Sequence, residues 1–327
     1  MRSIALDSSP RPPSPSARGV PVWVALLVAA GCAVSSPVGD PCESGSECES
    51  GACNQGKCVD PDEPGGGGAG AGGASSSTST STSASTSGSG SGGGGLCQPN
   101  HDGTITRDEV PIEVGLSAKF LAATDATVST AGTMQNGTRT WDLTGALPGD
   151  HLSLLETQST AGTWFAGTFP AATYAARLSE TETLLGVFES STPALSILGV
   201  VSPEDGLYKT ELSYDVPVPV LQFPLAEGAA WSTDATATGL AQGIFVTYIE
   251  EYETTVDARG ELLTPFATFD VLRVRVDLTR WIGAVPTTTR QYVFVTECFG
   301  SVATIVSQPN ETEIEFTDAA EVRRLSP

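Results

Sequence analysis

Leu272-Arg273-Val274-Arg275-Val276-Asp277-Leu278-Thr279 alternates apolar and polar residues without a break. A period of two marks an extended strand with one face buried and one wet, because successive side chains leave a pleated backbone on opposite sides. The pattern recurs on either side. In residues 244–256, Ile244, Val246, Tyr248, Tyr252, Thr254 and Val256 share a face interrupted only by Glu250, and in residues 291–297 Tyr292 and Phe294 alternate with Val293 and Val295. Farther out, Asn136-Gly137 separates VSTAGTMQ from TRTWDLT, a two-residue hairpin signal, since a type I′ turn needs positive φ at both positions. No sustained 3.6-residue period runs between Ser117 and Ser307, so helical crossovers and a parallel sheet are not expected. Residues 96–327 therefore read as an all-β domain, an antiparallel sheet curved into a half-barrel or folded into a sandwich. One late helix is expected over residues 318–325, where Asp318 and Glu321 are spaced for a capping box.

Upstream the composition changes. Residues 64–95 are almost wholly Gly, Ala, Ser and Thr, which bury too little to repay the entropy of ordering them. Residues 61–95 are expected to be a disordered linker, with a root-mean-square span of about 30 Å. Gly68, Gly70 and Gly73, and again Gly88, Gly90 and Gly93, match the dinucleotide-binding glycine spacing, but the strand and helix that give it meaning are missing from this composition. Residues 40–60 carry Cys42, Cys48, Cys53 and Cys58 and are too short for an apolar core, so crosslinks must hold them. Their spacing lacks the C-x-x-C knuckle of a zinc site, which favours disulfides, and four cysteines allow three connectivities.

The net charge of the 327 residues is −22. Residues 1–31 contribute Arg2, Arg11, Arg18 and Asp7, a net +2, so the remainder carries −22 − 2 = −24. Such a field repels phosphate backbones and anionic headgroups and argues against nucleic acid as a partner. It favours solubility, or a surface that collects divalent cations.

Those three arginines precede the apolar run VPVWVALLVAA, which is too short to span a bilayer and ends in Gly31-Cys32, the layout of a secretory signal. Ala29-Ala30-Gly31-Cys32 resembles the lipobox of bacterial lipoproteins, with Ala29 where that family more often has Leu. The resemblance implies a signal peptide over 1–31, acylation of Cys32, a short spacer over 32–39 and a membrane partner reached through the lipid. Ala33 in place of Asp points to the outer membrane. Lipidation of Cys32 also accounts for an odd count of seven cysteines in an exported chain. Residues 40–60 resemble one unit of the small Cys-rich modules of secreted proteins, in which first-to-third and second-to-fourth pairing would join Cys42 to Cys53 and Cys48 to Cys58. Residues 223–306 resemble an uncharacterised bacterial family of curved antiparallel half-barrels, related in shape to periplasmic lipoprotein carriers. The likeness rests on Phe269, Arg273, Val274, Arg290, Tyr292, Gly300 and Val302, and it implies fold more than activity.

Few residues suggest chemistry. Residues 98–109 align with the twelve-residue EF-hand loop, whose alternating oxygen ligands wrap a calcium ion. The candidate metal ligands are Gln98, Asn100, Asp102, Thr104 and Glu109, with Gly103 at the sharp turn. Gln98 replaces the usual first Asp, and Pro111 stops any exiting helix, so an Asp-Gly turn ahead of the first strand is the slightly favoured reading. No cofactor is required on either, and Ca²⁺ is the candidate on one. Cys97 and Cys298 are expected to form a disulfide across about two hundred residues. The sequence has no G-x-S-x-G, H-E-x-x-H or Walker loop, and its two histidines, His101 and His151, read as solvated. Glu180 with Glu182, and Glu250 with Glu251 and Glu253, read as solvated strand faces. Glu250 is the exception, expected to be buried against Arg273 or Arg275.

The leading expectation is a non-catalytic cell-envelope lipoprotein that displays a β-rich binding or scaffolding domain to an unidentified envelope partner. A carrier of an apolar ligand comes next, with Trp231, Tyr248, Phe269 and Tyr292 lining its cup. An acidic-residue hydrolase is third, and would need two carboxylates about 5–9.5 Å apart in a cleft.

Overall fold

The computed structural model describes residues 97–327, together with 53–54 and 57–58. The lipobox, most of the Cys-rich module and the Gly/Ser/Thr-rich linker lie outside the described residues. Within the module, β1 (Cys53–Asn54) pairs antiparallel with β2 (Lys57–Cys58), setting Cys53 opposite Cys58. In the large domain the strands in chain order are β3 (Thr104–Ile105), β4 (Ser117–Thr127), β5 (Thr133–Gln135), β6 (Thr138–Asp142), β7 (His151–Glu156), β8 (Tyr174–Arg177), β9 (Leu185–Ser190) and β10 (Ala194–Val201). They continue with β11 (Glu211–Gln222), β12 (Leu225–Ala226), β13 (Ala230–Ala241), β14 (Ile244–Leu263), β15 (Thr268–Ile282), β16 (Val285–Thr296), β17 (Gly300–Ser307) and β18 (Asp318–Leu325).

Twelve of these strands run in the order β7-β4-β18-β17-β16-β15-β14-β13-β11-β10-β9-β8, each antiparallel to its neighbours. The sheet curls until its two outer strands meet, where Gln158 and Ala175 exchange both backbone hydrogen bonds, at 2.7 and 2.9 Å. The all-β antiparallel expectation holds, and the curvature goes past a half-barrel to a nearly closed barrel. Closure satisfies edge groups that an open sheet would leave to pair with other chains. Among the described strands one pairing is parallel: β13 starts opposite Thr255, and beyond that point β6 takes up the free edge of β14 at Glu261, Leu262 and Leu263. The β5–β6 hairpin turns at Asn136 and Gly137 with φ of 51° and 88°, the pair of left-handed residues its sequence calls for.

β15 shows why the fold holds together. Leu272, Val274 and Val276 face a core formed with Val293 and Val295 of β16, Val256 of β14 and strands β8 to β11. The opposite face, expected to be wet, stays half-exposed from Arg275 to Thr279 but is buried over its first part: Phe269 and Val271 join Trp141, Tyr292, Phe294 and Phe316 in a second core. The chain around β6 and residues 314–316 covers that face, and Arg273 lies beneath it, bonded to Asp257, Glu315 and the carbonyl of Thr130. Trp141 and Tyr292 stack against its guanidinium.

Residues 318–325 are a strand, not the expected helix. β18 fills the gap between β17 and β4 and makes ladders with both. Ala319, Val322 and Leu325 enter the second core, so pairing and burial on both sides override the local capping signal.

The chain from Cys97 to Val110 forms a strap across one end of the barrel. Cys97 is bonded to Cys298. The Cys298 amide donates to the Glu109 carbonyl at 2.7 Å, and β3 pairs with β12 through Ile105 and Leu225. Ile105, Val110 and Ile112 thereby enter the first core. A crosslink spanning 201 positions restricts the unfolded chain strongly, so Cys298→Ser is expected to cost about 2–5 kcal/mol, read as a lower urea midpoint than the parent's.

Candidate functional site

Among the described residues, polar side chains gather in the barrel lumen at the end away from the strap and in a cleft beside the strap.

In the lumen, Glu250 is fully buried. Its carboxylate accepts hydrogen bonds from Arg280 Nε at 2.6 Å, Tyr252 at 2.6 Å and Tyr214 at 2.8 Å. The expected partners Arg273 and Arg275 are wrong. The β14–β15 register sets Glu250 opposite Arg280, while Arg275 stands opposite Thr255 and Arg273 opposite Ala258, farther along the ladder. Burial, then the Glu250 charge, push the hydroxyls of Tyr214 and Tyr252 well above the ordinary phenol range, and push Tyr248 up to about 12. The tyrosines stay protonated, and Tyr214 and Tyr252 donate to Glu250.

A second network lies against β18 and β7. Glu321 Oε1 forms an ion pair with Arg323 Nε at 2.7 Å, and its Oε2 accepts from the Ser179 hydroxyl and the Glu180 amide at 3.1 Å. Glu180, expected on a solvated strand face, follows β8 in a turn folded into the barrel end, where Ser153 donates to it at 2.5 Å and His151 Nε2 lies 3.4 Å away. Burial alone would raise the Glu180 carboxyl. Ser153, Arg323, Arg177 and His151 together outweigh that and hold it below the usual carboxylate range. Glu182, half-buried, is raised by burial against the counter-pull of Arg280. Glu251 and Glu253 are exposed, as expected.

The cleft, about 790 Å³, is bounded by the strap, the β5–β6 turn, the β14–β15 turn and the β16–β17 turn. Strap residues Pro99, His101, Gly103 and Ile105 line it. The alternate residues are the five candidate calcium ligands' territory, and Gln98, Asn100, Asp102 and Thr104 do not line it. Asn100 Oδ1 accepts from the Asp102 amide and Asp102 Oδ1 from the Thr104 amide, both at 2.8 Å. Asn100 Nδ2 donates to Glu109 Oε1 at 2.7 Å, and Glu109 Oε2 caps the Thr106 amide and hydroxyl at 2.8 Å. The loop is thus closed on its own hydrogen bonds as a chain of Asx turns and a capping box. Among the described residues no group of three His, Cys, Asp or Glu side chains is placed to hold a metal ion.

The strap is pinned by Glu297, a buried carboxylate that accepts from the amides of Asn100 at 2.5 Å and His101 at 3.1 Å. His101 has φ 54°, which presents both amides to one oxygen, and its ring lies 3.1 Å from Asp270. Asp270 stands directly opposite Glu261 across the β14–β15 ladder. Arg259, two residues before Glu261 on the same face, rests against Gly103; a Cβ there would lie 2.9 Å from its guanidinium nitrogen. No hydrogen bond or ion pair among the described residues engages the Arg259 side chain.

An aromatic wall completes the cleft. Phe269 and Phe299 meet edge to face at 5.1 Å, and Phe266 lies parallel to Phe269 within 10°, 45% exposed. Thr264 locks the turn that carries Phe266: its hydroxyl accepts from the amides of Phe266 and Ala267 at 3.2 Å and donates to the Ala267 carbonyl at 3.0 Å. The four aromatics expected to line a carrier cup are not brought together. Trp231 and Tyr248 pack against the first core, while Phe269 and Tyr292 belong to the second. Sequence reading missed the cleft because its parts come from four separate turns; the one local signal was Asp270 in the strand TFDVLRV, opposite a second acid.

No protein-family model, curated protein or solved structure matches the chain. The residues that carry the half-barrel likeness, from Phe269 to Val302, lie on β15, β16 and β17 and serve the ladders and cores already described.

Glu250→Gln is expected to cost about 3–5 kcal/mol, because it strands the buried Arg280 charge, whereas exposed Glu251→Gln should stay within about 0.5 kcal/mol; urea unfolding separates them. Glu180, Asp150 and Glu315 all lie below their ordinary values in the folded protein. Their stabilisation is therefore complete above the unfolded carboxylate range of about 4 and is lost as pH falls through the folded values. Glu182 works in the opposite direction. The melting temperature should hold from about pH 7 to 5 and drop below about pH 4, with a shallower drop in Glu180→Gln.

Proposed function

We propose that this chain is a cell-envelope lipoprotein, fastened through Cys32, whose barrel domain is a binding module without catalytic function. The lipobox-like stretch and the Gly/Ser/Thr-rich composition of residues 61–95 support the anchoring half of the reading. The binding half rests on one observation: the cleft is preformed. Glu297 fixes its strap, Thr264 fixes the turn bearing Phe266, and the cystine fixes the strap's end, so a ligand meets walls that need little ordering. Its volume falls within the usual range for small-ligand sites.

The carboxylates of the lumen support a structural role for the barrel interior. Glu250, Glu180 and Glu321 are each committed to arginines and hydroxyl or amide donors. Groups tied in this way orient strands and give the closed sheet its register.

Membrane fractionation of the parent and of Cys32→Ala tests the anchor. The parent should sediment with membranes and enter a detergent phase, and the variant should be released into the soluble fraction. Equal membrane attachment of the two, or recovery of the parent from cytosol, would overturn the reading.

A further inference from the structure

We infer that the cleft beside the strap binds a neutral saccharide chain. The inference rests on the reading of this domain as a binding module and names its ligand.

The cleft joins three features that suit a polyol. The first is an apolar platform: Phe266, nearly half exposed and parallel to Phe269, offers a flat ring face at the rim on a turn that Thr264 holds still. Sugar rings present C–H bonds on one face and cover such a surface. The second is a set of planar polar groups of both signs. Glu261 and Asp270 stand opposite each other with acceptor oxygens, and Arg259, on the same face as Glu261, supplies unengaged N–H donors. A hydroxyl both donates and accepts, so vicinal hydroxyls satisfy carboxylates and a guanidinium together. A purely anionic or cationic ligand would satisfy one set and oppose the other. The third is charge: the three carboxylates lining the cleft, Glu261, Asp270 and Glu297, outnumber its two guanidiniums, Arg139 and Arg259, within a chain of net charge −22, which disfavours phosphates and uronic acids.

The test uses the full chain in detergent, titrated by calorimetry with five neutral pentasaccharides: cellopentaose, maltopentaose, xylopentaose, mannopentaose and chitopentaose. Polygalacturonate serves as the anionic comparison. At least one neutral probe should bind. Phe266→Ala and Glu261→Gln should each weaken that binding by tenfold or more while both variants still unfold in one cooperative transition, Glu261→Gln at or above the parent's melting temperature because it removes the repulsion from Asp270 and Phe266→Ala somewhat below it because the ring packs on Phe269 and Phe299. Absence of binding by all five, tighter binding of polygalacturonate, or binding indifferent to both substitutions would overturn the inference. Reducing ends released from a bound probe would overturn the non-catalytic reading instead and leave the saccharide assignment standing.

Discussion

The ladder between β14 and β15 is the constraint on which the rest depends. It runs from Ile249 opposite Trp281 to Leu263 opposite Thr268, with one irregularity near Val256. Because side chains alternate, a slip of one residue would turn Leu272, Val274 and Val276 away from the first core and Phe269 and Val271 away from the second. Both faces are buried against different cores, so neither tolerates the slip. The same register sets Glu250 against Arg280 inside the barrel and Glu261 against Asp270 in the cleft. Buried ion pairs add little net stability, but an Arg left without its carboxylate is costly, so the Glu250–Arg280 pair penalises every other register.

Arginine use elsewhere follows the same logic. The chain has 16 cationic side chains against 38 acidic ones, and a protein so acidic destabilises itself by self-repulsion. Arg273, Arg280, Arg323 and Arg324, all buried, are each set against a carboxylate from another stretch of chain: Glu315, Glu250, Glu180 and Asp150. Arg324 with Asp150 ties the last strand to the turn before β7, and Arg273 with Glu315 ties the second core to its cover. The scarce cations thus act as joints between elements distant in sequence.

The strand content was legible because period-two alternation is a local property, and LRVRVDLT carries it in eight residues. The Asn-Gly hairpin and the bond between Cys97 and Cys298 were legible for similar reasons of backbone geometry and residue count. What alternation does not encode is what covers the second face: Arg273 sits at a position that reads as wet and is buried because distant residues fold over it. Residues 318–325 read as a helix for the converse reason, since their capping pattern is local and the vacancy between β17 and β4 is not. In the strap, every second oxygen-bearing residue invited a calcium reading; of these, the side-chain oxygens of Asn100 and Asp102 accept from amides within the loop. The intervening residues, His101 and Gly103, are the ones that meet the cleft.

Glu261 and Asp270 remain the feature that folding alone does not account for. Like charges directly opposite on a ladder are destabilising, and a Thr or Gln at either position would relieve the repulsion without disturbing an exposed strand. His101 offsets Asp270 only when its ring is protonated. Arg259, close enough in sequence to neutralise Glu261, lies against Gly103 instead. Local rules broken at a preformed concavity, with only a histidine beside one of the two acids, are where a ligand supplies the missing partner. The acids, the unengaged guanidinium and the exposed phenyl ring stand together in one cleft, and this grouping separates it from the lumen, where every comparable charge already has its counterpart.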